Sequence, residues 1–145
     1  MKKLYMLLLA GILLGTGWAV ALATQKPAPG GFIVEHDADV QKTEPGPHSG
    51  GGQTTGFSFF AKTPKLNLIF RKRALKPGSG IGYHEQTEDE IYYVLSGHGT
   101  MTADGNSFDV GPGTAVLTRT GSSHGLKQTG TEDLLILVNY DQKTP

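Results

Sequence analysis

The sequence predicts an all-β fold of the sandwich or barrel type. Three observations support this prediction: β-branched and aromatic residues fill short runs from Phe57 onward, turn residues separate these runs every ten residues or so, and no segment after Ala23 repeats apolar residues with a sustained helical period. We therefore expect residues 57–145 to form one β-barrel domain.

The first 23 residues have the composition of a secretory signal peptide. Met1-Lys2-Lys3 is basic, Leu4 to Val20 is largely apolar, and Ala21-Leu22-Ala23 places small residues where a signal peptidase cuts. We expect cleavage after Ala23 and a periplasmic or secreted protein with no stable membrane association. The alternative is an uncleaved anchor, because an apolar run of about 17 residues lies at the lower limit for a membrane-spanning helix.

Composition excludes several classes of function. The chain has no cysteine, which rules out disulfides, thiolate metal sites and thiol nucleophiles. Loss of Lys2 and Lys3 with the signal peptide reduces the 13 basic residues to 11 against 13 acidic ones, a net charge of −2. Without a basic surface or interleaved stacking aromatics, nucleic-acid binding is not expected.

Residues 24–56 are expected to form an N-terminal arm. Proline, glycine, serine, threonine and charged residues dominate this segment, and only Phe32-Ile33-Val34 has the apolar character of an edge strand. Downstream, Asp104-Gly105 is a strong hairpin signal. The strands predicted after the arm are Phe57 to Phe60, Leu66 to Leu75, Ile81 to His84, Ile91 to Leu95, Thr100 to Ala103, Ser107 to Val110, Thr114 to Thr118, His124 to Lys127 and Leu134 to Tyr140.

Four side chains have the types and spacing of metal ligands. His84 and Gln86 are two apart and share one face of a strand, and Glu90 keeps that parity if the strand bends without gaining a residue. His124 is placed to complete the shell from a strand across a barrel. Imidazole, amide and carboxylate donors together suit one divalent transition metal: Zn, Mn, Fe or Ni.

The segment from Gly78 to Gly97 resembles motif one of the cupin superfamily, written G-x5-H-x-H-x3,4-E-x6-G. Gly78, His84, Glu90 and Gly97 are in register with it. Gln86 replaces the second histidine, and glutamine stands among the ligands of some metal-dependent cupin isomerases. The resemblance implies that Gln86 is a ligand; the alternatives are that it only hydrogen-bonds a metal-bound water or that the metal is lost.

The segment from Gly113 to Gln128 resembles cupin motif two, written G-x5-P-x-G-x2-H-x3-N. Gly113, Gly121 and His124 match, whereas Arg119 replaces the proline and Gln128 the asparagine. The resemblance implies a double-stranded β-helix, the cupin jelly-roll barrel, in a single copy that pairs as a homodimer through an N-terminal strand. It does not imply one function, because the family includes enzymes, storage proteins and sensors.

Other polar residues are candidates for substrate chemistry. Tyr92 has the parity of Glu90 and should face inward, as a proton donor or as a packing aromatic; with Glu90 it forms the candidate catalytic pair. Arg71 and Arg73 share a strand face and would bind a substrate carboxylate if that face lines the barrel. Arg119 is a third candidate. Exposed or interface charges are the alternative for all three arginines.

Three functions remain open from the sequence. The first is metal-assisted isomerisation or elimination on a small sugar acid or polyol. An Fe- or Mn-dependent dioxygenase is the second, and a non-catalytic cupin that binds a small molecule is the third. His36, His48 and His98 are expected to be solvent-exposed rather than part of the site.

Overall fold

The computed structural model describes residues 30–142, and every helix and strand in this range belongs to a unit that begins at Ile33. The predicted signal peptide and its cleavage site lie outside these residues. No helix within residues 30–142 has the length and hydropathy needed to span a membrane. The elements are α1 (Asp37–Val40), β1 (Gln41–Pro45), a 3₁₀ turn (Pro47–Ser49), β2 (Gln53–Phe59), β3 (Leu68–Leu75), β4 (Gly80–Glu85), β5 (Glu90–Ser96), β6 (Gly99–Ala103), β7 (Asn106–Val110), β8 (Ala115–Thr118), β9 (Ser123–Gln128) and β10 (Leu134–Asp141).

Two antiparallel sheets face each other across an apolar core. The large sheet has the order β1-β2-β3-β10-β5-β8, and the small sheet has the order β4-β9-β6-β7. Alternate residues of the central strands point between the sheets, as the two-residue period of a strand requires. The all-β jelly-roll fold is therefore confirmed. The buried core residues are Leu75, Ile81, Tyr92, Val94, Met101, Val110, Leu126, Leu134, Ile136 and Val138.

The prediction for the N-terminal edge strand is wrong. Phe32, Ile33 and Val34 form no strand and are exposed. The edge strand is instead β1, which pairs with β2 and places residues 41–45 and 53–56 of the expected arm in the large sheet. The sequence of β1, Gln-Lys-Thr-Glu-Pro, lacks an apolar alternation because both of its faces are largely open, and its charges and proline are typical of a protected edge.

A bulge in β4 decides which of its side chains face the interior. Ile81 pairs with Leu126 and His84 pairs with His124, so two residues of β4 oppose the single residue Gly125. Residues three apart on a regular strand point to opposite faces. The extra residue reverses this, and both Ile81 and His84 line the same pocket.

The Gln128 side chain joins two loops at the other end of the small sheet. Its Oε1 accepts a hydrogen bond from the backbone N–H of Gly78 at 2.8 Å, and its Nε2 donates to the carbonyls of Gly130 at 2.8 Å and Glu132 at 2.6 Å. The residue is buried. The amide therefore ties the start of β4 to the turn between β9 and β10.

Replacing Gln128 with alanine is expected to lower the free energy of unfolding by about 1–3 kcal/mol, because the Gly78 N–H loses its acceptor in a partly buried position. Urea denaturation measures the change. Thr129→Ala is the matched control, since Thr129 is the exposed neighbour. Equal stability of the Gln128 variant and the control would contradict the structural role given to this amide.

Candidate functional site

A pocket of about 230 Å³ opens between the two sheets and brings together most of the side chains singled out from the sequence. It is closed on the large-sheet side by β3, β5 and β10 and on the small-sheet side by β4. The buried ring of His124 contacts two lining residues, Glu90 and Tyr92. The polar lining residues are His48, Arg71, Arg73, His84, Glu85, Gln86, Thr87, Glu88, Glu90, Tyr92 and Tyr140.

His84 and His124 are neighbours on one β-ladder. Their Cα atoms are paired between β4 and β9, and their ring centroids lie 4.5 Å apart at an interplanar angle of 58°. The expectation that His124 comes from across the barrel is therefore wrong. Cross-strand partners are the closest side chains in a sheet, so the two imidazoles meet without help from the opposite sheet.

Glu90 is the residue that comes from the opposite sheet. Gln86 follows the end of β4, a short connection crosses the barrel, and Glu90 begins β5 in the large sheet. The idea of a single bent strand that carries both residues is wrong. The turn is held by backbone hydrogen bonds between Gln86 and the residues Gly121 and Ser122, both at 2.8 Å. Glu90 nevertheless faces the pocket, because β5 starts with its inward position.

The His84 ring is oriented by a backbone carbonyl. Its Nδ1 lies 2.9 Å from the oxygen of Gly82. A carbonyl only accepts hydrogen bonds, so this contact assigns the proton to Nδ1 and leaves the lone pair of Nε2 free. Metal-binding histidines are commonly oriented in this way by a second hydrogen bond.

Glu90 and His124 form a buried pair that is incompletely satisfied. Glu90 Oε2 lies 3.1 Å from His124 Nε2, and His124 is fully buried. Neither Glu90 Oε2 nor His124 Nδ1 has a hydrogen-bond partner. An ionised carboxylate in such surroundings is costly unless a cation or several donors compensate its charge. The position therefore suits a bound cation.

Tyr92 supplies a protonated hydroxyl at the floor of the pocket. Its oxygen lies 2.9 Å from His124 Nε2. Burial raises the pKa of the Tyr92 phenol well above its ordinary value, and the Glu90 carboxylate raises this pKa further. The phenol consequently keeps its proton at neutral pH and can donate it in a hydrogen bond. The same ring also packs in the apolar core, which is the packing role considered from the sequence, whereas proton donation to a substrate stays a prediction.

The donor set fits a first-row divalent metal in its chemistry. It contains two imidazoles, the Glu90 carboxylate, and Gln86, which lines the pocket and is buried. Within residues 30–142, no three His, Cys, Asp or Glu side chains already converge closely enough to form a metal cluster. Ligation through His124 Nε2 requires the Tyr92 hydroxyl to release that nitrogen, whereas His84 Nε2 is free.

The two arginines of β3 both line the pocket but differ in their partners. Arg73 is buried and is held by Glu44 and by the hydroxyl of Thr54, each at 2.8 Å. Arg71 has no such partner, and its Nε is buried without a hydrogen bond. Arg71 is therefore the arginine that remains available to an anion in the pocket.

Arg119 lies outside the lining of this pocket. It forms an exposed ion pair with Asp89 at 2.9 Å. The Asp89 carboxylate also accepts a hydrogen bond from the backbone N–H of Thr120, which lowers the pKa of this carboxyl below its ordinary value, with the hydroxyl of Thr120 and Arg119 adding to the shift. Asp89 thus joins the loop between β8 and β9 to the connection between β4 and β5.

His48 is a pocket residue that the sequence analysis did not identify. Its side chain is partly open to solvent, as expected, but it lines the pocket and its ring stacks on that of His84 with centroids 3.5 Å apart and an angle of 5°. Partial burial lowers the pKa of His48, and the neighbouring His84 lowers it further. The glycines that follow, Gly50 to Gly52, indicate a tight turn, but no local pattern predicts where that turn packs.

A family profile described as "Cupin domain" matches residues 72–140, which carry both motifs and extend from β3 to β10. The two facing sheets and the paired His84 and His124 agree with that match. The chain belongs to the cupin superfamily. Its candidate site lies between the sheets of the jelly roll, and the cupin family often binds a metal.

Known relatives of this cupin include an oxalate-binding protein of Thermotoga maritima. It is 37% identical over 70 residues, which are 48% of this chain and 58% of the relative, so the match spans less than two thirds of the relative's length. A solved structure described as a predicted oxalate decarboxylase, also from Thermotoga maritima, superimposes with a TM-score of 0.70 at 25% identity, over 77% of this chain and 100% of that chain. KdgF from a Halomonas species shares the fold, with a TM-score of 0.60 at 21% identity over 79% and 96% of the two chains.

Proposed function

We propose that this cupin binds a small carboxylic acid at a divalent metal held by His84, Gln86, Glu90 and His124. The observation that carries the proposal is the buried, unpartnered Nε of Arg71 in the same pocket as these donors. A guanidinium binds a carboxylate through paired hydrogen bonds. An anion that contacts both Arg71 and the metal would supply the hydrogen-bond acceptor that Arg71 lacks.

The size of the pocket limits the ligand. A volume of about 230 Å³ is below the range of about 300–1,000 Å³ that is usual for drug-sized ligands. We infer an acid between a two-carbon dicarboxylate and a six-carbon sugar acid. The similarity to an oxalate-binding protein supports the smaller acids in this size range. The sugar acids suggested by the sequence also fall within the range.

A bound divalent ion would polarise a carboxylate, carbonyl or hydroxyl oxygen of the acid. The residues of the chain have separate tasks around it. Arg71 orients the carboxylate, and Tyr92 holds a proton beside His124.

Metal-assisted isomerisation or elimination is the second candidate function, and the protonated Tyr92 favours it over simple binding. A buried phenol with a raised pKa keeps its proton and can donate a hydrogen bond to a developing oxyanion. The Fe- or Mn-dependent dioxygenase stays a prediction, because none of the described side chains is specific to oxygen chemistry. Periplasmic or secreted localisation and the homodimer also stay predictions.

Replacing Arg71 with glutamine is expected to weaken the binding of oxalate or glucuronate by at least about 10-fold, because charge-assisted hydrogen bonds to a carboxylate contribute about 1.5–3 kcal/mol. Isothermal titration of the mature protein loaded with Mn²⁺ or Zn²⁺ measures the change, and glucose serves as a neutral ligand.

Arg119→Gln is the matched control, since it removes the same charge from an arginine that does not line the pocket. We expect it to bind both acids as tightly as the wild type does. If the two variants bind alike, or if glucose binds as well as glucuronate, the assignment of a carboxylate ligand is wrong.

A further inference from the structure

His48 and His84 form a parallel stack although they lie far apart in the sequence and on different elements. His48 lies in the turn between β1 and β2 of the large sheet, and His84 lies on β4 of the small sheet. The centroid distance of 3.5 Å and the angle of 5° correspond to full contact between the ring faces. No described residue forms a hydrogen bond with the His48 ring, so its contact with the site is this stack.

The backbone of the turn fixes the position of His48. A Cβ at Gly82 would overlap the carbonyl oxygen of His48 and lie 2.8 Å from its carbonyl carbon. A Cβ at Gly50 would likewise overlap backbone atoms of Gly80 and Gly82, at 2.2–2.5 Å, and the Gly80 N–H donates to the carbonyl of Gly51 at 3.3 Å. Main chain therefore packs against main chain here, at a distance that only glycine allows.

His48 adopts a left-handed backbone conformation, with φ of +51°. A residue with a Cβ adopts this conformation at some cost and retains it where the surrounding structure imposes it. The tight packing of the turn on β4 is such a constraint. The packing thus holds His48 in an unfavourable backbone conformation, and in this conformation its ring lies against His84, a candidate metal ligand.

Gly82 links the two histidines. The His48 carbonyl packs against the Gly82 Cα, in the space that a Cβ would fill, and the Gly82 carbonyl accepts the hydrogen bond from His84 Nδ1. The hydrogen bond fixes one ring nitrogen of His84, but it does not by itself fix the tilt of the ring about that bond. The face of His48 removes this remaining freedom.

We propose that His48 is a positioning residue: its ring fixes the plane of the His84 imidazole and thereby the direction in which Nε2 points. The use made of that nitrogen rests on the function proposed above. The positioning itself does not require a metal, so it can be measured in the metal-free protein.

Three substitutions separate stacking from other roles. His48→Phe keeps an aromatic face and removes both ring nitrogens. His48→Asn removes the face but tolerates the left-handed backbone, and His48→Gly relaxes that backbone entirely, which guards against a variant that fails to fold. His98→Asn is the control, because His98 is exposed and does not line the pocket.

The first readout is the ¹⁵N-resolved spectrum of the histidine rings in metal-free protein. We expect one Nδ1-protonated form of His84 in the wild type, in His48→Phe and in His98→Asn, and an averaged ring in His48→Asn and His48→Gly. The second readout is Zn²⁺ affinity by titration. It should fall about 10-fold in the Asn and Gly variants and stay near the wild-type value in His48→Phe, in line with losses from other supporting residues of metal sites.

Two results would overturn the inference. One is a His84 ring spectrum that is unchanged in His48→Asn and His48→Gly. The other is a His48→Phe spectrum as disturbed as that of His48→Asn, which would assign the effect to ring nitrogens rather than to stacking. If the wild type binds no Zn²⁺, the proposed metal function fails, while the spectrum of the metal-free protein still decides the role of His48.

Discussion

Gly82→Ala is expected to lower the free energy of unfolding by about 1–3 kcal/mol and to disrupt the candidate site at the same time. The added methyl group overlaps the carbonyl oxygen of His48 and lies 3.1 Å from the backbone nitrogen of Gly50. These are main-chain atoms, which cannot move aside by a side-chain rotation. The turn must separate from β4, and the stack of His48 on His84 is lost with it.

Urea denaturation and the histidine ring spectrum together measure this effect. Gly130→Ala is the control, because a Cβ there meets its nearest neighbours at an ordinary 3.7 Å and the backbone is not left-handed. We expect the control to be neutral or slightly more stable than the wild type. A Gly82→Ala variant with wild-type stability would show that the close packing of the turn on β4 is not needed.

Glu90→Gln is expected to reduce metal affinity by more than about 100-fold, exceeding the loss from a supporting residue, while leaving the metal-free protein at least as stable as the wild type. The two effects have opposite signs for one reason. The carboxylate is buried beside His124 and its Oε2 forms no hydrogen bond, so the protein compensates its charge only in part until a cation binds. An amide of the same shape has no charge to compensate, and it also lacks the charge that holds the metal.

Metal titration and denaturation in the presence of a chelator measure the two effects separately. Glu85→Gln is the matched control, since Glu85 lines the same pocket but is exposed, and its loss changes the net charge equally. Should Glu85→Gln weaken metal binding as much, the effect is one of overall charge, and Glu90 is not a ligand. A less stable metal-free Glu90→Gln would show that the carboxylate is already compensated.

The strands and their inward faces follow largely from local pattern. Nine of the ten strands between residues 30 and 142 lie where runs of β-branched and aromatic residues predict them. On β5, Glu90 and Tyr92 alternate with exposed Ile91 and Tyr93, as a two-residue period requires. This period is a property of the strand itself, so it can be read without knowledge of the partner strands.

The errors concern contacts between distant residues. β1 was missed because an edge strand with two open faces has no apolar pattern, while the apolar Phe32 to Val34 segment has no strand partner in the described part of the chain. The origin of Glu90 in the opposite sheet and the pairing of His84 with His124 depend on how the strands connect and align. Neither is encoded in the spacing of the ligands.

The sequence by itself determined the fold class, the cupin motifs and the chemical types of the donors. Only the tertiary structure decided that a bulge turns His84 inward beside Ile81, that Arg71 rather than Arg119 lies free in the pocket, and that His48 stacks on the site. The physical reason is range. Strand periodicity and turn chemistry act over a few residues, whereas register and the approach of one backbone to another are set by packing across the whole barrel.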